Sequence, residues 1–399
     1  MSFRDSKNIP KSWEIKRIKD IGKVKGGSTP STKKEEYWNG EIPWITPKDL
    51  SDHNSVYISS GERSITKKGF ENSSTHLLPK KSILFSSRAP IGYIAIAQKE
   101  LCTNQGFKSI IPNDNMDYMF LYYLLKHNTN YIERMANGST FSEISGSRLE
   151  KIELLLPPLK EQKKIANIFS TLDKKIENNN RMNKTLEKMA QAMYKSWFVD
   201  FEPFQDEEFV KSELGMIPKG WKVIKLKEIV SLKNGKRPNE KNENPQKNFK
   251  VPVIGASGVM AYTEESLYDE PILVVGRVGT LGVVQRYNSH CWTSDNTIVI
   301  KSDFYEYVYQ ILKTINFKSL NRGSTQPLIA QKDIKSQKVV FPPKNILKEF
   351  SDIVSKLFEK VKNNKRENQT LKKLRDSLLP KLMSGEIRVP LEKGKKEVN

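Results

Sequence analysis

Gly138-Ser139-Thr140, leading through Leu156-Pro157-Pro158-Leu159 to Phe198, occurs twice: it returns as Gly323-Ser324-Thr325, leading through Pro342-Pro343 to Met383. The offset is 185 at Gly138/Gly323, at Pro157/Pro342 and at Asn179/Asn364, with no gap between them. A repeat of this length marks a duplicated structural unit. Proline suits the first turn of a helix, where its missing N–H would be unpaired anyway, and Glu161 complements the helix dipole. Ile165, Ile168, Leu172, Met182, Leu186, Met189 and Met193 then fall on heptad a and d positions, with Asn179 at an a and Lys175 at a d. The second copy carries Phe350, Ile353, Leu357, Asn364, Leu371, Leu374 and Leu378, with Lys360, Glu367 and Lys381 weakening its d positions. Neither stripe can be buried alone, so the two helices are expected to pair, antiparallel for tandem copies. At about 1.5 Å per residue the first would span roughly 50–60 Å. Asn179 and Asn364 are expected to face one another and fix register. Pro380 predicts an end or kink at Leu379.

Outward from the helices lie two globules. Ile9-Pro10-Lys11-Ser12-Trp13 is echoed by Ile217-Pro218-Lys219-Gly220-Trp221 at an offset of 208, which also pairs Gly27 with Gly235 and Pro30 with Pro238. Short apolar runs at 42–45, 83–85 and 93–97, cut by Gly and Pro, read as strands. Phe120-Leu121-Tyr122-Tyr123-Leu124-Leu125 reads as a buried helix, with a counterpart at 303–315. Between Lys33 and Ser82 the copies barely resemble each other. The expected class is α+β: two β-rich domains at 1–156 and 217–341, helices at 157–199 and 342–385, an acidic connector at 200–216 and a charged tail at 386–399.

The formal net charge of +21 implies a polyanionic partner. The residues 200–213 carry Asp200, Glu202, Asp206, Glu207, Glu208 and Glu213, so the basic excess lies elsewhere. Two cysteines, Cys102 and Cys291, exclude a disulfide scaffold and read as buried thiols in equivalent strands. No apolar run approaches the roughly eighteen residues of a membrane span. Met1 to Asp5 lacks the apolar core of a secretory signal, which points to the cytoplasm.

Four stretches carry a resemblance. They are Gly138-Ser139-Thr140-Phe141-Ser142-Glu143-Ile144-Ser145, Leu156-Pro157-Pro158-Leu159-Lys160-Glu161-Gln162, Ser196-Trp197-Phe198-Val199-Asp200-Phe201-Glu202-Pro203-Phe204 and Gly215-Met216-Ile217-Pro218-Lys219-Gly220-Trp221. With the duplication, they make the chain similar to the specificity subunit of type I restriction–modification enzymes. The resemblance implies two target recognition domains separated by helices that form an antiparallel coiled coil. It further implies binding to an asymmetric bipartite site in double-stranded DNA, two methyltransferase subunits as partners, and restriction subunits in the full complex. S-adenosylmethionine and ATP would belong to those partners, with no cofactor in this chain. The second copy departs from the pattern: Gln326-Pro327-Leu328 replaces Phe141-Ser142-Glu143, and Asn345-Ile346-Leu347 replaces Lys160-Glu161-Gln162. A stand-alone tandem nucleic-acid-binding adaptor, for example on RNA, is the alternative.

Catalytic patterns are missing from the sequence. No Walker A motif occurs, and Gly276, Gly279 and Gly282 do not make GxGxxG. His53, His76, His127 and His290 have no metal or nucleophile spacing. Pro157-Pro158 lacks the flanking Asn or Asp and aromatic residue of an adenine methyltransferase. Base reading is therefore expected from polar loop residues: Lys25, Ser28, Thr29, Lys33 and Lys34 in the first globule, and Lys233, Lys236, Arg237 and Asn239 in the second. Arg88 and Arg277 read as matched arginines that could fork onto guanine or cap a turn. Ser139, Thr140, Ser324 and Thr325 suit a turn or a phosphate. Trp13 and Trp221 read as core, and Trp197 and Phe198 as a partner surface.

Overall fold

The computed structural model describes residues 9–53, 55–88, 90–136, 143–323 and 327–390. Ser139, Thr140, Ser324, Thr325 and the end of the tail lie outside these described residues. The chain divides into two compact units, one of Met1–Asn180 with Lys365–Asn399, the other of Arg181–Asn364. Two 40-residue helices, Leu159–Phe198 and Lys344–Met383, each contribute one half to either unit.

In unit 1 a five-stranded sheet has the order Gly22–Gly26, Lys108–Pro112, Ile83–Ser87, Ile91–Ala97, Tyr57–Ile58. Beside it, Trp38–Ile45 pairs antiparallel with Arg63–Ile65 and parallel with Cys102–Thr103. Glu14–Arg17 and Glu153–Leu156 close the unit as an antiparallel pair. Ile83–Ser87 is buried on both faces, which is why it reads as a continuous run rather than an alternating one. The helix Tyr118–His127 starts where the Asp117 carboxylate accepts the Phe120 N–H at 2.8 Å, the usual N-cap device.

Unit 2 repeats this topology. Ser231–Asn234, Thr297–Lys301, Ile272–Gly276 and Val284–Tyr287 form the larger sheet. Val251–Gly255 pairs antiparallel with Gly258–Thr263 and parallel with Trp292–Thr293. Lys222–Lys225 with Lys338–Phe341 is the closing pair. The region between Lys33 and Ser82, where sequence likeness fails, therefore keeps its strand order. The largest difference is one connection: residues 46–62 in unit 1, with a short helix Pro47–Ser51 and a strand, against residues 256–257 in unit 2. The longer connection rests on the long helix, where Ser55 Oγ donates to Glu177 Oε1 at 3.2 Å.

Within each unit the long helices run antiparallel: Asp173 meets Arg375 and Asn179 meets Asn368 in unit 1, while Asn183 meets Asn364 and Phe198 meets Phe350 in unit 2. Four sequence expectations change here. The seam follows Ile165, Phe169, Asp173, Ile176 and Asn179, then Asn183, Ala190, Tyr194 and Phe198, close to a 3.6-residue period instead of 3.5. Met182, Met189, Ile353 and Leu374, expected at d, are 43%, 51%, 38% and 44% exposed. The cause is that each helix faces a globule as well as the other helix: Phe169 packs on Tyr123 at 5.0 Å and Tyr194 on Tyr307 at 5.8 Å between ring centroids. Ile168, Leu172, Leu186, Met193, Leu357, Leu371 and Leu378 flank that seam half-buried.

The asparagines pair one turn along from the expected partner. Asn179 Nδ2 donates to Asn368 Oδ1 at 2.9 Å and to Glu367 Oε2 at 2.8 Å, and Asn364 Nδ2 donates to Asn183 Oδ1 at 2.9 Å. Pro380 does not end its helix, which runs on to Met383. Less than one turn of helix follows the ring, where the last carbonyls lack intrahelical partners in any case. The acidic connector is itself folded, with a hairpin of Phe209–Ser212 and Gly215–Pro218.

Each unit covers its entry tryptophan with the segment that leaves a long helix. In unit 2, Phe201 and Phe204 pack on buried Trp221 at 5.5 and 5.0 Å between centroids. In unit 1, Trp13 Nε1 donates to the fully buried Glu161 carboxylate at 3.0 Å, and Arg388 clamps the same carboxylate at 2.7 and 2.9 Å.

Candidate nucleic-acid interface

The basic loops singled out in the sequence leave the first strand of each larger sheet, and the backbone there is tightly specified. A Cβ on Gly27 would lie 2.1 Å from the Asn104 oxygen and 2.2 Å from that of Thr103, so only glycine lets the chain approach. Ser28 N then donates to Thr103 O at 3.0 Å, and the indole of Trp44 donates to Ser28 O at 3.0 Å. Thr29 Oγ1 donates to Gln105 Oε1, and Trp38 Nε1 to Ser31 O at 3.2 Å. Lys34 reaches the Tyr37 hydroxyl at 3.0 Å, and that hydrogen bond raises its pKa above the usual lysine value, so it stays charged. Lys33 is exposed, and Lys25 is half-buried in its strand opposite Ser109.

Unit 2 rebuilds the same backbone with other side chains. A Cβ on Gly235 would meet Ser294 O at 2.1 Å. Lys236 N donates to Thr293 O at 2.8 Å, as Ser28 does to Thr103. The Lys236 carbonyl accepts an indole N–H at 2.7 Å, but from Trp292, on the strand parallel to the one that would correspond to Trp44. Register makes Trp292, not Cys291, the counterpart of Cys102: each stands opposite the central strand, against Val253 and Trp44 respectively. Both thiols are buried, and burial pushes each up to about 11, outside the range of a reactive cysteine. Lys233, Lys236, Arg237 and Asn239 are exposed.

Arg88 and Arg277 are not equivalent. Ser87 donates to Gly106 O and accepts from Ile144 N; Arg277 donates to Asn296 O and accepts from Ile329 N. Arg277 therefore stands at the place of Ser87, and Arg88 corresponds to Val278, each of that second pair forming the next bridge, to Glu143 and Leu328. The ladders carry this offset along the whole strand: Ile83 stands opposite Ile96 and Ile110 where Leu273 stands opposite Arg286 and Ile300. Arg88 lies 3.6 Å from Glu143 in an exposed pair, worth well under about 1 kcal/mol.

Sequence reading missed Asn104, Gln105, Trp44, Trp292 and Arg63, whose guanidinium lies 3.4 Å from the centroid of Trp38. Closely spaced Trp38 and Trp44 beside a Gly-Gly turn were the available signal. It also misread Phe198, which is buried among Tyr307, Phe350 and Trp221 at 4.9, 4.9 and 6.0 Å and is core, not partner surface. Trp197 is half-buried against Phe204 and Phe350. Among the described residues no cluster of His, Cys, Asp and Glu could hold a metal ion, and no helix is long and apolar enough to cross a membrane.

Residues 10–188 and 218–373 match the model of the type I restriction modification DNA specificity domain. The chain belongs to this family. It is 41% identical over 416 residues to the type I restriction enzyme MjaIX specificity subunit of Methanocaldococcus jannaschii, covering 96% of each protein. Over 179 residues it is 35% identical to the HindI specificity subunit of Haemophilus influenzae, covering 43% of this chain and 38% of that one. The crystal structure of the S subunit from M. genitalium shares the fold, with a TM-score of 0.60 at 21% identity over 95% of this chain and 97% of that one. The family fixes the role: a DNA-recognition subunit of a type I restriction–modification system, without a catalytic function of its own. Family membership does not favour the stand-alone RNA-binding adaptor.

Proposed function

We propose that the loop end of each unit reads one half of an asymmetric, bipartite duplex site, and that the chain carries two methyltransferase subunits to an adenine in each half. One observation supports this reading above the rest. The two loop ends share a backbone, down to the glycine cradle and the indole on the following carbonyl, yet present Ser28 in one unit and Lys236 in the other. A common frame with exchanged side chains suits two half-sites of different sequence. Lys25, Lys33 and Lys34, and Lys233, Lys236 and Arg237, supply the phosphate contacts in this reading.

Two copies of one partner are supported by the exposed apolar residues Met189 and Leu374, which occupy equivalent helix positions 185 apart. S-adenosylmethionine and ATP belong to the methyltransferase and restriction subunits, and the complex acts on DNA in the cytoplasm. The test is co-expression with candidate methyltransferase subunits and mapping of methylated adenines in host DNA. Exchange of residues 217–341 for those of a relative should change one half of a split motif. A continuous motif, or one unaltered by the exchange, would refute the reading.

A further inference from the structure

The hairpin that replaces residues 46–62 in unit 2 exposes two successive apolar side chains. Val259 and Met260 are 49% and 47% exposed, whereas an ordinary strand would turn one of two neighbours inward. The ladder explains the exception. It passes from Val253 opposite Ala261 to Ile254 opposite Val259, so Met260 is an extra, unpaired residue: a β-bulge. Bulges re-aim side chains, and here the bulge turns both residues outward.

The hairpin is held from behind. Gln285 Nε2 donates to Gly255 O at 2.9 Å and to Ala256 O at 3.3 Å. The segment after Gly276 packs so closely that a Cβ there would lie 2.8 Å from Ala256 O. The tip also belongs to the basic loop end: Ser294 N donates to Ile254 O at 2.9 Å, and Ser294 O is the atom against which Gly235 packs, one residue before Lys236 and Arg237. Apolar side chains on a braced hairpin, joined through Ser294 to the strand end that carries Lys236 and Arg237, suit a groove whose walls are phosphates and whose floor offers methyl groups.

We propose that Val259 and Met260 form an apolar finger that contacts thymine C5-methyl groups in the major groove of the half-site read by unit 2. This rests on the reading that the loop ends face DNA. Thymine alone among the four bases displays a methyl there, and apolar side chains are its natural partner. In unit 1 the corresponding connection is the long segment 46–62, so the finger belongs to one half-site only.

The experiment is site selection from randomised duplex DNA by the complex of this chain with its methyltransferase subunits. The Val259→Ser/Met260→Ser double variant is compared with wild type and with Met260→Leu, and thermal melts confirm folding. Wild type and Met260→Leu should prefer thymine at one or two positions of one half-site. The double variant should lose that preference, and deoxyuridine at those positions should weaken wild type about ten-fold while leaving the double variant unmoved. Identical preferences in all three proteins, or loss of methyltransferase binding in place of base preference, overturns the finger. A separate Lys236→Gln/Arg237→Gln variant tests the underlying reading. An unchanged salt slope of DNA binding there removes the loop end from the DNA altogether, whereas a shallower slope there, together with unchanged base preferences in the Val259→Ser/Met260→Ser variant, removes the finger alone.

Discussion

The two units share a strand order but fasten their long helices by different chemistry. In unit 1 the contacts are charged. Tyr123 donates to Asp173 at 2.7 Å, Arg375 meets the same carboxylate at 2.7 Å, and Glu161 joins Trp13 to Arg388. In unit 2 the equivalents of Asp173 and Arg375 are Phe358 and Ala190, and that of Glu161 is Ile346. There Tyr194, Phe198, Tyr307 and Phe350 pack as one aromatic group, and Arg286, paired with Glu306, lies over the face of Phe358 at 3.6 Å. A duplicated frame thus keeps its asparagine pairs, Asn179 with Asn368 and Asn183 with Asn364, while exchanging charged for aromatic contacts at other positions. Aromatic packing supplies area without a specific geometry, while a buried ion pair adds little net stability yet is costly to break.

Three measurements would break or sharpen this contrast. Phe350→Ala should have the largest effect, about 3–5 kcal/mol, because it opens a cavity among the rings of Tyr194, Trp197 and Phe198. Hydrogen exchange should show the loss in the helix Tyr305–Thr314 of unit 2, with Tyr118–His127 of unit 1 protected as before. Asp173→Asn should cost about 2–3 kcal/mol, since Arg375 loses its buried countercharge, and here Tyr118–His127 should be the helix that loosens. Equal loosening of both helices in either variant would count against separate fastening.

The smallest effect is on pH. Burial lowers the His127 pKa below its ordinary value, so the unfolded chain binds the proton more readily than the folded one. The stability this neutral histidine contributes is present above the unfolded pKa near 6.5 and falls as pH drops below it. The equivalent residue in unit 2 is Thr314. Exchange protection should therefore fall between about pH 7.5 and 5.5 in unit 1, and His127→Thr should flatten that slope.

Much of this architecture was legible in the sequence, for identifiable reasons. The gapless offset from Pro157/Pro342 onward reports two helices of equal length, and each helix is 40 residues long. The strand Ile83–Ser87 declares itself because both its faces are buried, as does the buried end of Ile91–Ala97 from Ala95 on. The helix seam did not, because a heptad assumes a single partner and Phe169 and Tyr194 each serve two. Arg277 was misplaced because similar apolar letters align Ile83 with Ile272, whereas strand pairing sets Ile83 with Leu273. In the loop ends the cationic residues were readable as types, but Trp44 and Trp292 reach one carbonyl position from different strands, and only pairing reveals that. The alternation of Val259 and Met260 looks ordinary until the bulge is placed.

The Arg388 clamp on Glu161 has a consequence for synthesis. Unit 2 is one continuous stretch, Arg181–Asn364, and can complete its core while the chain is still being made. Unit 1 begins first but needs Arg375 and Arg388, which are translated after all of unit 2. Until they arrive, Glu161 and Asp173 lack their cations and Trp13 lacks its cover. The first unit to be translated is thus the last to close, and its closure waits on residues as late as Arg388.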